Sequence, residues 1–199
     1  MVMNITDLIQ TPEERAELKT LHIKCDIFIE ESHGLPLYKN LSTKYGDFQK
    51  VKVRSKKSSD SYVDTFNEAF TEELYNLHQR AVFANGYDSF EPADPVVEGL
   101  EPFYIFPVNG YRFMYSTEVE NSTHDYKHLF DHLFEQFGNN GGRDVATDLL
   151  KFSYRHERLF EGIERGSEII IYNLPCYYAM RTSAAGDYND LLTFINETT

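Results

Sequence analysis

Apolar residues near the N-terminus repeat at the spacing of an α-helix. They are Leu18, Leu21, Cys25 and Phe28. A capping box of Thr11 and Glu14, with Pro12 at the first helical position, precedes the repeat and predicts a helix from residue 12. Alternate positions between 23 and 29 are also apolar, which leaves a strand open for the second half, but the cap favours helix.

The isoleucine run Ile169–Ile171 follows a Gly166-Ser167 turn and continues into Tyr172. A β-branched run bounded by turn residues predicts a strand that is buried on both faces. Glu168 stands at the entry of this strand, at the edge of the core. An ionisable residue in such a place is often part of a binding or catalytic site, and the alternative is a solvated strand end.

Several further short apolar runs predict strands. They are residues 35–38, 48–54, 81–84, 103–106, 111–115 and 176–181. Asn109-Gly110 lies between two of these runs and is typical of a type I′ turn, so we predict a hairpin that joins 103–106 to 111–115. The strand at 176–181 follows the isoleucine strand after Pro175 and is predicted to be its partner.

Later segments return to helical spacing. Helices are predicted at residues 65–77, 125–137 and 145–163, the last with a bend, and from Asp187 onwards. Phe137, Val145 and Phe152 are expected on their inward faces. Helices gathered early and late around short strands indicate an α+β fold with a mostly antiparallel sheet.

The length and even composition predict one globular domain over residues 1–199. Within it we expect an N-terminal helical segment at 1–34, a core at 35–181 and a C-terminal helix or tail at 182–199.

The net charge of −13 argues against general binding to nucleic acid, which requires a cationic surface. The charge is unevenly distributed, because residues 39–57 carry seven cations and a single acid, Asp47. This cationic strip could hold a small phosphate-bearing anion or an acidic partner, and a solvated surface is an equally good interpretation.

Cysteine content and hydropathy indicate the compartment. Cys25 and Cys176 make no disulfide framework, which suggests a reducing cytoplasm. No apolar stretch reaches the length of a bilayer, so no membrane partner is expected.

The sequence contains no convincing catalytic or metal-binding motif of a familiar kind. His124, His128 and His132 are four residues apart on one helical face, but no further ligand completes a zinc set, so no metal is predicted. The chain lacks a Gly-x-Ser-x-Gly nucleophile elbow, a phosphate loop and a dinucleotide fingerprint.

Several segments between residues 35 and 181 resemble, in order, a family of bacteriophage-encoded proteins whose motifs are similar to those of ADP-ribosyltransferases. They are Leu35-Pro36-Leu37-Tyr38-Lys39-Asn40, Tyr104-Ile105-Phe106-Pro107-Val108, Glu168-Ile169-Ile170-Ile171 and Tyr177-Tyr178. The resemblance implies a split antiparallel sheet with helices packed around it, and a site that grips NAD.

The resemblance also implies roles for particular residues. Glu168 stands where the catalytic glutamate stabilises the cationic ribosyl centre, and Lys39, next to Tyr38, stands where an arginine grips a phosphate. Asn85 lies near the polar position of the middle strand. The chain departs from the family at four points: Lys39 for arginine, Asn40 for glycine, Gly166 where arginine-modifying enzymes carry a second acid, and a middle strand without the usual Ser-Thr-Ser.

Two functions follow as expectations. The first is a non-catalytic phage protein that serves as a virion component or binds a host protein, in the host cytoplasm and in the virion if it is packaged. The alternative is an active mono-ADP-ribosyltransferase that uses NAD as substrate to modify a host protein. No resident cofactor is assigned in either case.

Overall fold

The computed structural model of the chain describes residues 11–54, 61–70, 81–86, 99–118 and 122–197, without the side chains of residues 61, 62 and 122–125. Seven helices lie in these residues: α1 (Pro12–Lys24), α2 (Asp26–Glu31), α3 (Ser61–Ala69), α4 (Ser122–Ser153), α5 (Leu159–Glu164), α6 (Thr182–Ala185) and α7 (Tyr188–Glu197). Eight strands accompany them in the same residues: β1 (Tyr38–Ser42), β2 (Phe48–Lys52), β3 (Val82–Asn85), β4 (Leu100–Pro107), β5 (Arg112–Ser116), β6 (Tyr154–Arg155), β7 (Glu168–Tyr172) and β8 (Cys176–Arg181). None of the described helices has an apolar stretch long enough to cross a membrane.

The eight described strands form one sheet in which each neighbouring pair is antiparallel. Their order is β2-β8-β4-β1-β3-β7-β5-β6. Two halves of four strands meet at β1 and β3, which are joined by one residue pair, Tyr38 with Asn85. We call this junction the seam. The predicted α+β class is confirmed.

The isoleucine strand β7 lies between two apolar cores. Ile169 and Ile171 face the first core, to which α1, α2, α5 and α7 contribute. Ile170 faces the second core, which is built with α3 and α4. Each isoleucine is at most 1% exposed, and burying such a side chain contributes about 1.5–3 kcal/mol. The prediction of a strand buried on both faces is confirmed.

The N-terminal segment is helical from Pro12 to Glu31, with a break at Cys25. Thr11 Oγ1 accepts a 3.1 Å hydrogen bond from Glu14 N, and Glu14 Oε2 accepts a 2.9 Å bond from Thr11 N, which is the predicted capping box. α2 follows α1 after Cys25, so the helical interpretation is right and the strand alternative is wrong.

The predicted hairpin at Asn109-Gly110 is wrong. β4 pairs with β1 and β8, whereas β5 pairs with β6 and β7, so the connection crosses from one half-sheet to the other. A type I′ turn needs positive φ at both central residues, and only Gly110 of the two has it. Asn109 N instead donates a 2.7 Å bond to Lys24 O, and Asn109 Nδ2 donates a 3.0 Å bond to Ile23 O. Asn109 therefore satisfies the last carbonyls of α1.

The predicted pairing of 176–181 with the isoleucine strand is also wrong. β8 pairs with β2 and β4, in the other half of the sheet. Between β7 and β8 the chain turns at Asn173, which has a φ of 57° and whose Nδ2 donates a 2.9 Å bond to Gly110 O. Two of the connections that cross between the half-sheets, β4 to β5 and β7 to β8, are thus tied to each other.

Helical phase was misjudged in α4. The helix bends at Gly138, which has a φ of 72°, and it ends at Ser153. The stretch predicted to run to 163 is therefore interrupted by β6, and it is helical again from Leu159, in α5. Phe137, Val145 and Phe152 are 51%, 40% and 86% exposed rather than inward. A Cβ at Gly142 would lie 2.6 Å from Phe134 Cδ1, which shows that small residues bring the two arms of the bend into close contact.

The predicted starts of α3 and α7 have different outcomes. Thr65 lies inside α3 rather than at its cap, and residues 71–80 of the predicted helix lie outside the described residues. Asp187 caps α7 as predicted, because its Oδ1 accepts a 2.8 Å hydrogen bond from Asn189 N.

Candidate functional site

Three of the four predicted site residues lie in one row across the seam. Tyr38 in β1 pairs with Asn85 in β3, and Asn85 pairs with Glu168 in β7. Because neighbouring strands are about 4.8 Å apart, the Cα atoms of Tyr38 and Glu168 are separated by about 10 Å. The chain positions 38, 85 and 168 are thus brought together by the sheet.

The position of Glu168 is set by the end of α5. Gly166, with a φ of 73°, donates its N–H to Ile163 O at 3.0 Å, and Ser167 N donates to Gly162 O at 3.0 Å. This pair of bonds is the Schellman motif, which requires a left-handed residue where glycine stands. The chain leaves the motif as β7, and its first residue, Glu168, is half-buried.

Asn85 is held beside Glu168 by the residue that follows it. Gly86 N donates a 3.3 Å hydrogen bond to Ser167 O, which extends the β3–β7 pairing. A Cβ at Gly86 would lie 2.1 Å from Ile163 O, so a residue with a side chain does not fit between β3 and α5. Asn85 and Glu168 are consequently fixed next to each other by two glycines, Gly86 and Gly166.

Lys39 makes a structural contact across the seam. Its Nζ atom donates a 2.6 Å hydrogen bond to the carbonyl oxygen of Phe83, two residues before Asn85. An ammonium group carries three donors, so this bond uses one of them on the protein itself. The resemblance assigns this cation to a ligand phosphate, whereas here it connects the two half-sheets.

The side chain of Tyr38 belongs to the apolar core. It is 9% exposed, and its ring centroid lies 5.3 Å from that of Tyr104. Tyr104 in turn packs against Tyr188 of α7, at 4.9 Å between centroids. Tyr38 contributes its backbone to the row at the seam, while its ring contributes to packing.

The predicted cationic strip is dispersed in the structure. Lys39 lies at the seam, and Lys50 Nζ lies 3.3 Å from Glu17 Oε1 on α1, while Lys44, Lys52 and Arg54 are exposed. Lys56 and Lys57 lie outside the described residues. The described part of the strip therefore forms no single anion site.

Glu17 is the centre of the ion pairs on this side of the molecule. Its Oε2 lies 2.7 Å from Lys24 Nζ and also accepts a hydrogen bond from the Tyr178 hydroxyl. The Lys24 ammonium, followed by the Tyr178 hydroxyl, lowers the pKa of Glu17 to about 2. These contacts attach α1 to β2 and β8.

The cysteines and histidines offer no additional chemistry in the described residues. Cys25 and Cys176 are free and buried, and burial raises the pKa of the Cys25 thiol to about 12, which makes its thiolate inaccessible at neutral pH. Among the described residues, no three His, Cys, Asp or Glu side chains are grouped to hold a metal ion. The side chain of His124 lies outside that set.

The sequence alone did not point to Arg181 or to a group of three other arginines. Arg181 connects β8 to the turn at 43–47, and Arg155, Arg158 and Arg165 line a pocket beside α5. The segment 155–165 carries three arginines, but three glutamates in the same segment cancel their charge. Only the fold, which turns the chain through β6 and α5, places the three guanidinium groups around one space.

The arrangement at the seam offers one carboxylate, one carboxamide and one ammonium on three consecutive strands. The carboxylate of Glu168 could stabilise a developing cation, and the Asn85 amide could hydrogen-bond a ligand. The ammonium of Lys39 remains a point charge without the planar fork that binds a phosphate through two oxygens.

The chain matches no protein-family model, no curated protein and no solved structure.

Proposed function

We propose that this chain is a non-catalytic binding protein of a bacteriophage, with a fold that resembles that of ADP-ribosyltransferases. It acts as a virion component or as a binder of a host protein, in the host cytoplasm and in the virion if it is packaged. The observation that carries this proposal is the 2.6 Å hydrogen bond from Lys39 Nζ to Phe83 O. The group that the resemblance assigns to NAD binding is used to hold the two half-sheets together.

Two further features support the same proposal. The Tyr38 ring, which adjoins the assigned cation, is packed against Tyr104 in the core rather than exposed to a ligand. Arginine-modifying enzymes carry a second acid at the position of Gly166. Here the Schellman motif requires glycine, because residue 166 has a φ of 73°. A carboxylate at position 166 would therefore conflict with the turn that positions Glu168.

A second candidate is an active mono-ADP-ribosyltransferase that uses NAD to modify a host protein. The pairing of Asn85 with Glu168 beside the seam favours it, because a carboxamide residue and a carboxylate residue then stand side by side on neighbouring strands. Lysine in place of arginine would weaken the grip on a diphosphate, since a point charge replaces two parallel hydrogen bonds.

Nicotinamide release from NAD distinguishes the two candidates. Wild type, Glu168→Gln and Lys39→Arg are incubated with millimolar NAD, with and without host lysate as a source of acceptors. The non-catalytic proposal expects the same background release from all three proteins. Release by the wild type that disappears in Glu168→Gln would establish the transferase instead.

The binding role needs a positive test of its own. Purified virions are analysed by mass spectrometry, and the tagged chain is recovered from infected cells with its associated proteins. The proposal expects the chain in the virion, or one host protein bound at a fixed stoichiometry that purified components reproduce. Absence from virions together with no reproducible partner would contradict it.

A further inference from the structure

A pocket of about 220 Å³ opens beside α5, on the side of β5 and β6 away from the seam. Its walls come from the ends of β5 and β6 and from both ends of α5, and its lining residues are Tyr115, Thr117, Arg155, Glu157, Arg158, Glu161 and Arg165. Three guanidinium groups and two carboxylates therefore share one small space in a chain of net charge −13.

Two of the three guanidinium groups have no partner in the described part of the chain. Arg158 Nη1 lies 2.9 Å from Glu161 Oε1, so these two charges neutralise each other. Within the described residues, Arg155 and Arg165 make no side-chain hydrogen bond or ion pair. A concave surface that gathers cations without pairing them is the usual arrangement for an anion.

One wall of the pocket is the buried and closely packed side chain of Tyr115. Tyr115 is 2% exposed and pairs with Arg155 in the sheet, and its ring packs so tightly on α5 that a Cβ at Gly162 would lie 2.7 Å from it. The Tyr115 hydroxyl lies 3.5 Å from Arg158 O. Burial raises the pKa of Tyr115, so the hydroxyl stays a neutral hydrogen-bonding group at neutral pH.

The backbone at the rim adopts a left-handed conformation. Arg158 has a φ of 57° and a ψ of 62°, a conformation that costs about 1–2 kcal/mol because Cβ lies close to the following carbonyl oxygen. Glycine or asparagine would relieve this penalty, yet arginine occupies the position. Such conformations persist where the surrounding structure over-determines them, and they cluster at active sites and ligand clamps.

We propose that this pocket binds a phosphate-bearing small molecule, with the guanidinium groups of Arg155 and Arg165 as its anchors. Two planar forks offer more donors than one carboxylate can accept, whereas a phosphate or diphosphate group presents enough oxygens for both. The Thr117 hydroxyl lies in the same lining, where it donates a 3.3 Å hydrogen bond to Glu118 Oε1.

The size of the pocket limits the ligand. Sites for drug-sized molecules occupy about 300–1,000 Å³, and this pocket, at about 220 Å³, is smaller. It accommodates a diphosphate group, with any attached nucleoside outside. This pocket is independent of the proposed function, because Lys39, Asn85 and Glu168 are not among its lining residues.

Isothermal titration with pyrophosphate tests the proposal. The titrant is added to wild type, Arg155→Gln, Arg165→Gln and Arg112→Gln, an exposed arginine of the same strand as Tyr115 that lies outside the pocket. Pyrophosphate is expected to bind the wild type with a stoichiometry of one. Each pocket variant should bind at least about tenfold more weakly, and Arg112→Gln should stay within about twofold of wild type.

Further titrations identify the chemical group that the pocket binds. Arg165→Lys should bind less tightly than wild type because it keeps the charge and loses the fork. Acetate at equal concentration should not compete. A titration with ADP separates two sources of diphosphate: tighter binding of ADP than of pyrophosphate indicates a nucleotide, and the reverse indicates the free anion.

Three results would overturn the proposal. The first is the absence of pyrophosphate binding to the wild type at millimolar concentration. The second is that Arg155→Gln and Arg165→Gln bind pyrophosphate as tightly as the wild type, and the third is that Arg112→Gln weakens binding as much as the pocket variants do. The last would indicate general attraction to positive charge. Melting curves of all variants should coincide within about 2 °C, since the substituted side chains are exposed and make no ion pair with any described residue.

Discussion

The Nζ atom of Lys39 in β1 donates a 2.6 Å hydrogen bond to the carbonyl oxygen of Phe83 in β3, across the seam between the two half-sheets. The strands at the seam share one backbone residue pair, Tyr38 with Asn85, and this side-chain bond adds a direct link between them. The function proposed for the chain depends on this use of Lys39.

Removal of the Lys39 charge should destabilise the protein. We expect Lys39→Met to lower the free energy of unfolding by about 1–3 kcal/mol, because the Phe83 carbonyl loses a charged donor, and the melting temperature by roughly 2–10 °C. Lys52→Met, an exposed lysine of β2, is the matched control and should change little. Calorimetry of the two variants measures the difference, and equal melting temperatures would refute a structural role for Lys39.

The Glu17 ion pairs predict a loss of stability in acid. The pKa of Glu17 is about 2 in the folded chain against 4.5 in the unfolded chain, so the carboxylate stabilises the fold fully above pH 4.5. The contribution decreases as the pH falls from about 4.5 towards 2. Because the three charged side chains are 32–40% exposed, we expect about 1 kcal/mol.

Urea unfolding at pH 7 and at pH 3 measures this contribution. Glu17→Gln should be less stable than wild type at pH 7, and more than half of that difference should vanish at pH 3. Glu13→Gln, an exposed first-turn residue of the same helix, is the control. A difference between wild type and Glu17→Gln that is independent of pH would show that packing, and not charge, is responsible.

Substitution of Arg181, the charged residue of β8, should strongly destabilise the fold. Its Nη2 donates a 2.6 Å bond to Tyr45 O, and its guanidinium lies 5.2 Å from the Phe103 ring. Nε lies 2.8 Å from Asp47 Oδ1 as an ion pair rather than an aligned hydrogen bond, and Nη1 binds Glu101. The side chain is 14% exposed, so its removal leaves two carboxylates that are poorly compensated.

We expect Arg181→Met to lower the free energy of unfolding by about 3 kcal/mol or more. Arg181→Lys should recover only part of this loss, because an ammonium cannot reach the backbone and both acids together. Chemical denaturation of the three proteins provides the comparison. Full recovery by lysine would mean that charge alone matters here.

The close approach at Gly86 predicts a strong effect of one methyl group. Gly86→Ala places a Cβ 2.1 Å from Ile163 O, and such overpacking destabilises by about 1–3 kcal/mol. Gly46→Ala is the control, since the nearest atom there is 3.8 Å away. Thermal unfolding should separate the two variants clearly. If Gly86→Ala melts with the wild type, the backbone contact that fixes Asn85 beside Glu168 is not tight.

Local patterns in the sequence predict the elements of this fold well. The Thr11–Glu14 capping box and the isoleucine strand are found as expected, because their signals are confined to neighbouring residues. The pairing of strands is not predictable in this way. Asn109-Gly110 has the composition of a hairpin turn, yet the Asn109 donors are taken by the end of α1, and β4 and β5 separate into different half-sheets.

Sites formed by distant residues depend on that pairing. Tyr38 and Asn85 were selected by resemblance, and Glu168 also by its place at the entry of the isoleucine strand. The sheet register places the three in one row. The arginine pocket was missed because its cations are offset by glutamates along the chain and are gathered only when β6 and α5 fold back on β5. The hydrogen bond of Lys39 to Phe83 also has no local signal, since 44 residues separate the two.

Release of nicotinamide from NAD tests the central claim most directly. Wild type, Glu168→Gln and Lys39→Arg are incubated with millimolar NAD and host lysate, and free nicotinamide is quantified by chromatography. If Lys39 joins the half-sheets and the protein acts by binding, the three samples release nicotinamide at the rate of buffer with lysate alone. Release by the wild type that Glu168→Gln abolishes and Lys39→Arg increases would contradict this account.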